Sequence, residues 1–167
     1  MIQILPRLID NLARYANYLA LISLVAMTLL ICVEVFSRTL LGVSTLVGEE
    51  WPSYMLVAVV FLGLATTYKE NAFIIVEIVF VRLRKTHQKA LRFVCLLLAI
   101  VFVILFDYQL ISFVASSYFK GSKSISFSET PLFIPQVAMP IGMTLLGLQL
   151  IKDAVLTFLS LKISMGD

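Results

Sequence analysis

Four long stretches with almost no charged residues constrain this chain more than any other feature of its sequence. Residues 15–33 and 51–68 carry no charge, residues 93–119 carry only Asp107, and residues 130–151 carry none. A helix needs about 20 residues to cross a hydrocarbon layer about 30 Å thick. Each stretch is therefore predicted to span a bilayer as one helix.

The composition excludes an ordinary water-soluble domain. Hydrophobic residues make up 60% of the 167 residues and charged residues only 14%, whereas soluble domains have about 25% charged residues. A chain of this length cannot bury so much apolar surface against itself. Backbone groups in lipid must be paired, and the continuous apolar runs lack the alternation of barrel strands. We therefore predict an all-α integral membrane protein with four transmembrane helices.

We expect a single membrane domain over residues 1–167, with spans at about 15–37, 51–69, 92–118 and 134–160. The first apolar run is longer than the core of a cleaved signal peptide and has no A-x-A-like site after it. It is therefore expected to remain as the first span.

Basic residues predict the orientation of the spans. The amino-terminal tail, the segment between the second and third spans and the carboxyl-terminal end together hold ten Lys and Arg residues, and the other two connections hold three. Cytoplasmic loops retain the positive excess. Both termini are therefore expected in the cytoplasm. Because these basic residues lie between apolar runs, they do not indicate nucleic-acid binding.

The segment between the second and third spans is predicted to form an amphipathic helix over about residues 70–84. On a helix Glu70, Glu77 and Arg84 share one face, and Ile75 and Val79 point the opposite way. Such a helix lies flat in the cytoplasmic membrane interface, in contact with lipid headgroups. The alternative is that the second span simply continues into the cytoplasm.

The connection between the third and fourth spans, residues 120–135, is rich in Ser, Gly and Pro and is predicted to be an ordered turn region. Pro131, Pro135 and Pro140 lie around the start of the fourth span, where a missing amide donor costs least. These prolines are expected to fix the angle at which the chain enters the membrane.

Charged residues near the first connection are candidates for structural or subunit contacts. Glu34 and Arg38 are four residues apart, in the order that favours a helical ion pair. Glu49 and Glu50 precede the second span and complement its dipole, and Trp51 is suited to the headgroup level. Each feature is explained by local stability alone, or by contact with a second helix or a partner protein.

Asp107 lies near the middle of the third apolar run. An aspartate at that depth is a candidate proton or ion site. Two other interpretations remain open: a hydrogen bond between helices, and a span that is placed differently along the run.

The sequence shows no constellation for catalysis, substrate binding or metal binding. The single histidine, His87, lies in the basic segment, and Cys32 and Cys95 lie singly within apolar runs. Haem and zinc sites need convergent ligands that this inventory lacks. We therefore expect a protein that is not an enzyme and that holds no cofactor of its own.

Several segments together resemble the small membrane subunit, the DctQ-type component, of tripartite ATP-independent periplasmic (TRAP) transporters. They are VEVFSRTLLGVS at 33–44, GEEWPSY at 48–54, VFLGLATTYKENAFIIVEIV at 60–79 and PLFIPQVAMPIGMTLLGLQLI at 131–151. The residues carried over are Glu34, Arg38, Glu49, Glu50 and Trp51 in the first hairpin and Pro131, Pro135 and Pro140 before the fourth span. One departure is Phe73, where the family often has histidine.

The resemblance implies a heteromeric symport system of the bacterial inner membrane for an organic acid, such as a dicarboxylate or sialic acid. A periplasmic binding protein captures the solute, and a large membrane subunit moves it with sodium, which is expected in that subunit. The small subunit braces the large one, and the two outer connections, around residues 44–50 and 120–130, are expected to help dock the binding protein. Membrane lipids are the remaining expected partners.

Two other functions fit the same sequence. One is a self-sufficient small exporter, a homo-oligomer in which Glu34 or Asp107 couples transport to protons. The other is an integral anchor for a redox or sensory complex.

Overall fold

The computed structural model describes residues 4–44, 48, 50–70, 85–124 and 129–164. Its helices, numbered in chain order, are α1 (Ile4–Phe36), α2 (Trp51–Lys69), α3 (Lys85–Phe119), α4 (Phe133–Gln136) and α5 (Ala138–Ser164). A π-helical turn, Ser37–Leu41, continues α1 without a break. None of the described residues belongs to a named strand.

Four segments are long and apolar enough to cross a membrane: Pro6–Leu41, Trp51–Lys69, Leu91–Phe119 and Phe133–Phe158. The predicted all-α membrane architecture with four spanning helices is therefore confirmed. The predicted interfacial helix at 70–84 lies outside the described residues, except for Glu70, which follows the last residue of α2. Glu77 and Arg84 also lie outside the described residues, as does Glu49.

The four long helices pack in the order α1, α2, α5, α3, so that α1 and α3 form the two edges. In addition, α1 contacts α5, and the short helix α4 packs against α2 and α3. This open arrangement buries only 11–22% of the most apolar part of each span. Most of the apolar surface is consequently available to lipid or to another membrane protein.

Small residues allow α1 and α2 to approach closely. Ala13, Ala16 and Ala20 of α1 are buried against Ala65 and its neighbours on α2. The Thr66 hydroxyl of α2 crosses this interface and donates a hydrogen bond to the carbonyl oxygen of Ala13 at 3.1 Å. Small side chains and interhelical hydrogen bonds are the usual basis of helix association in lipid.

The contact between α2 and α5 depends on a glycine. A Cβ atom at Gly142 would lie 2.1 Å from the carbonyl oxygen of Phe61, a backbone atom of α2. Between α5 and α3 the approach is less severe, because a Cβ at Gly147 would lie 3.2 Å from a methyl group of Val103. Gly142 therefore sets the distance between the two central helices.

The described part of the connection between α3 and α4 is a tight turn. Gly121, at φ 58°, and Glu129, at φ 42°, adopt left-handed backbone conformations, and Lys123 pairs with Pro131 as an isolated antiparallel bridge. The prolines follow in sequence: Pro131 precedes α4, Pro135 lies within it, and Pro140 is the third residue of α5. At these positions the absence of an amide donor removes few helical hydrogen bonds.

Candidate functional site

Polar side chains of the spanning helices gather at the two ends of the molecule. We call the end formed by the last turn of α1, the start of α2 and the connection after α3 the hairpin end. The opposite end, formed by the first turns of α1 and α3 and the last part of α2 and α5, is the terminal end. The two ends are built differently.

At the hairpin end Glu34 is the central acceptor. Arg38 Nε lies 2.6 Å from Glu34 Oε1, and the Ser44 hydroxyl donates to the same oxygen at 2.8 Å. Arg38 Nη2 also donates to Ser44 Oγ at 3.2 Å. Glu34 is buried at 7% exposure. A charge buried to this degree is stable only when it is paired, so Glu34 fixes the π-helical turn and the chain after it in one conformation.

Gly48 lies directly over the Glu34 side chain. A Cβ at Gly48 would come within 2.5 Å of Glu34 Cγ. Residue 48 can therefore lie this close to the Glu34 side chain only because it has no side chain of its own. Gly42, which ends the π-helical turn at φ 67°, needs glycine for its left-handed backbone conformation.

The start of α2 is linked to the connection after α3. The Tyr54 hydroxyl donates to Glu50 Oε1 in a short contact one turn apart, and a hydrogen bond joins Tyr54 to Ser124. Trp51, the first residue of α2, is 39% exposed, as suits an aromatic ring at a membrane boundary. Lys123 and Glu129 form an exposed ion pair at 2.9 Å within the connection itself.

At the terminal end Asp10 receives contacts from two other helices. Lys152 Nζ of α5 lies 2.5 Å from Asp10 Oδ1, and Lys69 Nζ of α2 lies 3.4 Å from Oδ2. Gln149 Nε2 donates to Oδ1 at 3.1 Å, and Gln149 is 1% exposed. The Asp10 carboxylate therefore links α1 to both α2 and α5.

Asp153 makes a second junction beside the first. Its Oδ2 accepts a hydrogen bond from the Tyr68 hydroxyl of α2 at 2.8 Å and lies 3.0 Å from Arg92 Nη2 of α3. Through Asp10 and Asp153, all four spanning helices are joined by polar contacts at the terminal end. We call this group the terminal cluster: Asp10, Tyr68, Lys69, Arg92, Gln149, Lys152 and Asp153.

Sequence reasoning did not single out Asp10 or Asp153. Lys69, Arg92 and Lys152 are among the ten basic residues that predict the orientation, and Arg92 also belongs to a basic cluster that is expected to face anionic headgroups. A usable signal was present, because Asp10 lies between Arg7 and Arg14 and Asp153 follows Lys152 directly. Isolated acids within basic helix ends are candidates for buried ion pairs, since they reduce the local positive charge.

Between the two ends, Asp107 is the only charged residue at the middle of a described span. The Thr144 hydroxyl of α5 lies 2.9 Å from Asp107 Oδ2 and 2.8 Å from the carbonyl oxygen of Pro140. Asp107 Oδ1 is buried and has no hydrogen-bond partner among the described residues. The contact joins α3 to α5 at the depth where polar groups cost most.

The described polar contacts join helices to one another and to their connections. Within the part of the chain that the structure describes, no three His, Cys, Asp or Glu side chains are placed to hold a metal ion. Glu34 and Arg38 meet each other, whereas Glu50 bonds to Tyr54 and Asp107 lies far along α3. The described residues among those predicted as charged sites, Glu34, Arg38, Glu50 and Asp107, therefore do not converge on one centre, and Glu49, Glu77 and Arg84 lie outside the described residues.

Comparison with known proteins gives the chain a family. No curated protein matches it. The family described as tripartite ATP-independent periplasmic transporters, DctQ component, matches residues 27–159. The match contains Asp107, the described residues of the hairpin end, α2, α3, α4 and most of α5, but only residues 27–36 of α1. The chain therefore belongs to the DctQ component family of TRAP transporters and is a multi-pass membrane protein.

Proposed function

We propose that the chain is the small accessory subunit of a sodium-coupled TRAP transporter that imports an organic acid, such as a dicarboxylate or sialic acid. In this role it braces the large membrane subunit, which carries the solute and sodium sites. The chain itself catalyses no reaction and binds no solute. Its partners are the large subunit, the periplasmic binding protein and membrane lipids.

One observation carries the proposal: the helices form an open row that leaves most of the apolar surface uncovered. Only 11–22% of the most apolar part of each span is buried within the chain. Meanwhile the described polar side chains pair with one another at the two ends and leave a single charged residue at mid-depth. A carrier needs convergent polar groups around a central site, whereas a brace needs a broad apolar face.

Reconstitution tests this role. The large subunit, the binding protein and this chain, placed together in liposomes, are expected to take up solute when a sodium gradient is imposed. Omission of this chain is expected to reduce uptake at least about tenfold, because the large subunit loses its support. Transport by this chain alone would contradict the proposal.

Asp107→Asn separates the accessory role from the proton-coupled exporter. The substitution keeps an acceptor for Thr144 but removes the ionisable group. An accessory subunit carrying it is expected to support uptake within about twofold of the unaltered complex. Proton-coupled flux in liposomes that contain this chain alone, abolished by Asp107→Asn, would favour the exporter instead.

We further propose that the terminal end faces the cytoplasm and the hairpin end faces the periplasm. The ten-to-three distribution of basic residues supports this orientation. A Lys123→Cys variant, in which Cys32 and Cys95 are replaced by serine, is expected to react with a membrane-impermeant maleimide from the periplasm. An Arg7→Cys variant is the control and is expected to react only after the membrane is opened. The reverse pattern would contradict the orientation.

The hairpin end is also proposed to help dock the binding protein. The Tyr54–Ser124 hydrogen bond joins the start of α2 to the connection after α3, so described residues of these two segments can contact the same partner. A photo-crosslinker at position 123 is expected to capture the binding protein, and one at position 7 is not. Capture of the binding protein on the large subunit alone would remove this part of the proposal.

A further inference from the structure

A small polar cavity lies within the terminal end, between α2, α3 and α5. Its volume is about 140 Å³, and its lining consists of Tyr68, Lys69, Arg92, Gln149, Lys152 and Asp153. Lys69 is the last residue of α2, and Arg92 is the second residue of the span Leu91–Phe119. The cavity therefore lies at the level where the ends of the spans meet the lipid headgroups.

The charges around this cavity do not balance. The terminal cluster holds three cations, Lys69, Arg92 and Lys152, and two anions, Asp10 and Asp153. One formal positive charge is left over. Among the described residues, Arg14 and Glu70 line the adjacent cavity next to Lys69. Their charges cancel each other and leave this excess unchanged.

Two of the cations retain access to a ligand. The Arg92 side chain is 56% exposed and the Lys69 side chain 36% exposed, whereas Lys152 is 17% exposed. Arg92 contacts Asp153 through Nη2, and a guanidinium carries five N–H donors in a planar fork. A fork of this kind is suited to two oxygens of one phosphate group.

We propose that this cavity binds the phosphodiester headgroup of one anionic phospholipid. A phosphodiester carries one negative charge, which matches the excess, and basic pockets between helix ends at the membrane surface are suited to such groups. Arg92 and Lys69 contact the phosphate oxygens. Lys152 lines the same cavity and stays paired with Asp10. The site would thus be completed by lipid. This proposal does not depend on the role in transport or on the orientation of the chain.

The test measures binding to the full chain in a neutral detergent. Phosphatidylglycerol is titrated while the melting temperature is recorded, with phosphatidylcholine and inorganic phosphate in parallel. Phosphatidylglycerol is expected to raise the melting temperature at concentrations where the other two have no effect. Equal effects of both phospholipids would overturn the proposal, and an equal effect of inorganic phosphate would overturn the lipid as the source of the anion.

Matched variants show whether the cavity is the site. Arg92→Gln is expected to weaken phosphatidylglycerol binding about tenfold, the effect of losing one hydrogen bond between charged groups. Arg14→Gln removes the same charge from the same end but lines only the adjacent cavity, so its effect is expected to stay below about twofold. Equal losses in the two variants would show diffuse attraction and overturn the site.

A second substitution guards against misfolding. If Arg92→Gln lowers the melting temperature in the absence of lipid, the binding measurement is repeated with Lys69→Gln. Lys69 contacts Asp10 at 3.4 Å, a longer distance than the Lys152–Asp10 contact, so its loss should disturb the fold less. Lys69→Gln is expected to weaken phosphatidylglycerol binding by a similar factor. Unchanged binding in this variant would overturn the assignment of the cavity.

Discussion

The two ends of the molecule use the same kinds of side chain at very different distances along the chain. At the hairpin end Arg38 binds Glu34 four residues away, Ser44 binds it ten residues away, and Lys123 binds Glu129 six residues away. At the terminal end Asp10 binds Lys152 over 142 residues. Apart from the hydrogen bond between Tyr54 and Ser124, these contacts at the hairpin end each stabilise the shape of one connection. The contacts at the terminal end join separate helices.

This difference has an energetic consequence. A local pair is brought together largely by the helix or turn that contains it, so its loss changes mainly that turn. A pair from distant helices forms only when the helices are already packed. Loss of a contact at the terminal end should therefore weaken the whole row of helices, whereas loss of one at the hairpin end should loosen a connection.

The largest effect is expected from disrupting the contact between the two central helices, α2 and α5. Such a change tests whether the contacts at the two ends depend on it. Gly142→Val would place side-chain atoms against the Phe61 carbonyl and separate α2 from α5. We expect a loss of about 3 kcal/mol in the free energy of unfolding, because neither backbone can move aside cheaply. Denaturation in mixed detergent micelles measures the change. The control is Gly63→Val, since a Cβ at Gly63 meets nothing within 4 Å; equal losses would contradict the close contact.

The next effect concerns the terminal end. Asp10→Asn leaves Lys152, which is 17% exposed, without its closest carboxylate. Removing one member of a fully buried ion pair lowers the free energy of unfolding by about 3–5 kcal/mol. Because Asp10 and Lys152 are partly exposed, we expect a smaller decrease of about 2 kcal/mol. A double-mutant cycle with Lys152→Gln measures the coupling directly. If the two single substitutions lower the free energy of unfolding by amounts that add up, within about 0.3 kcal/mol, to the decrease in the double variant, the pair does not join the helices.

The main architecture was predictable from the sequence because lipid imposes a simple requirement. Runs of about 20 uncharged residues in an apolar chain have few alternatives to spanning helices. The order α1, α2, α5, α3 was not predictable, because it depends on shape at a few contacts such as Gly142 against Phe61. The π-helical turn was also missed, since no single residue type marks it.

Sequence spacing likewise found only one class of polar contact. The Glu34–Arg38 pair was visible because helical periodicity relates residues four apart. The Asp10–Lys152 and Tyr68–Asp153 contacts depend on which helices are neighbours, and that order is the information the sequence did not supply. Asp10 also lies outside residues 27–159, the part of the chain that matches the family. Family resemblance therefore did not point to it either.

At the hairpin end a smaller and more local effect is expected. Glu34→Gln keeps an acceptor for Ser44 but removes the charge that holds Arg38. The Arg38 side chain is 47% exposed and can be solvated when its partner is removed. We therefore expect the free energy of unfolding to fall by only about 1 kcal/mol. Hydrogen exchange is expected to rise for the amides of residues 37–44 and to stay unchanged for residues 146–154. Faster exchange at both ends would show that the hairpin end is coupled to the helix packing.

The smallest effect belongs to Lys123 and Glu129, whose side chains are 60% and 71% exposed. Exposed ion pairs contribute about 0–1 kcal/mol, and the bridge between Lys123 and Pro131 is held by backbone hydrogen bonds on either side of it. Glu129→Gln is therefore expected to change the free energy of unfolding by less than about 0.5 kcal/mol. Glu129→Gly is the informative companion, since it also relieves the left-handed backbone at φ 42°. If Glu129→Gln destabilises the chain as much as Asp10→Asn does, the two ends do not differ as described, and sequence separation is not what divides their roles.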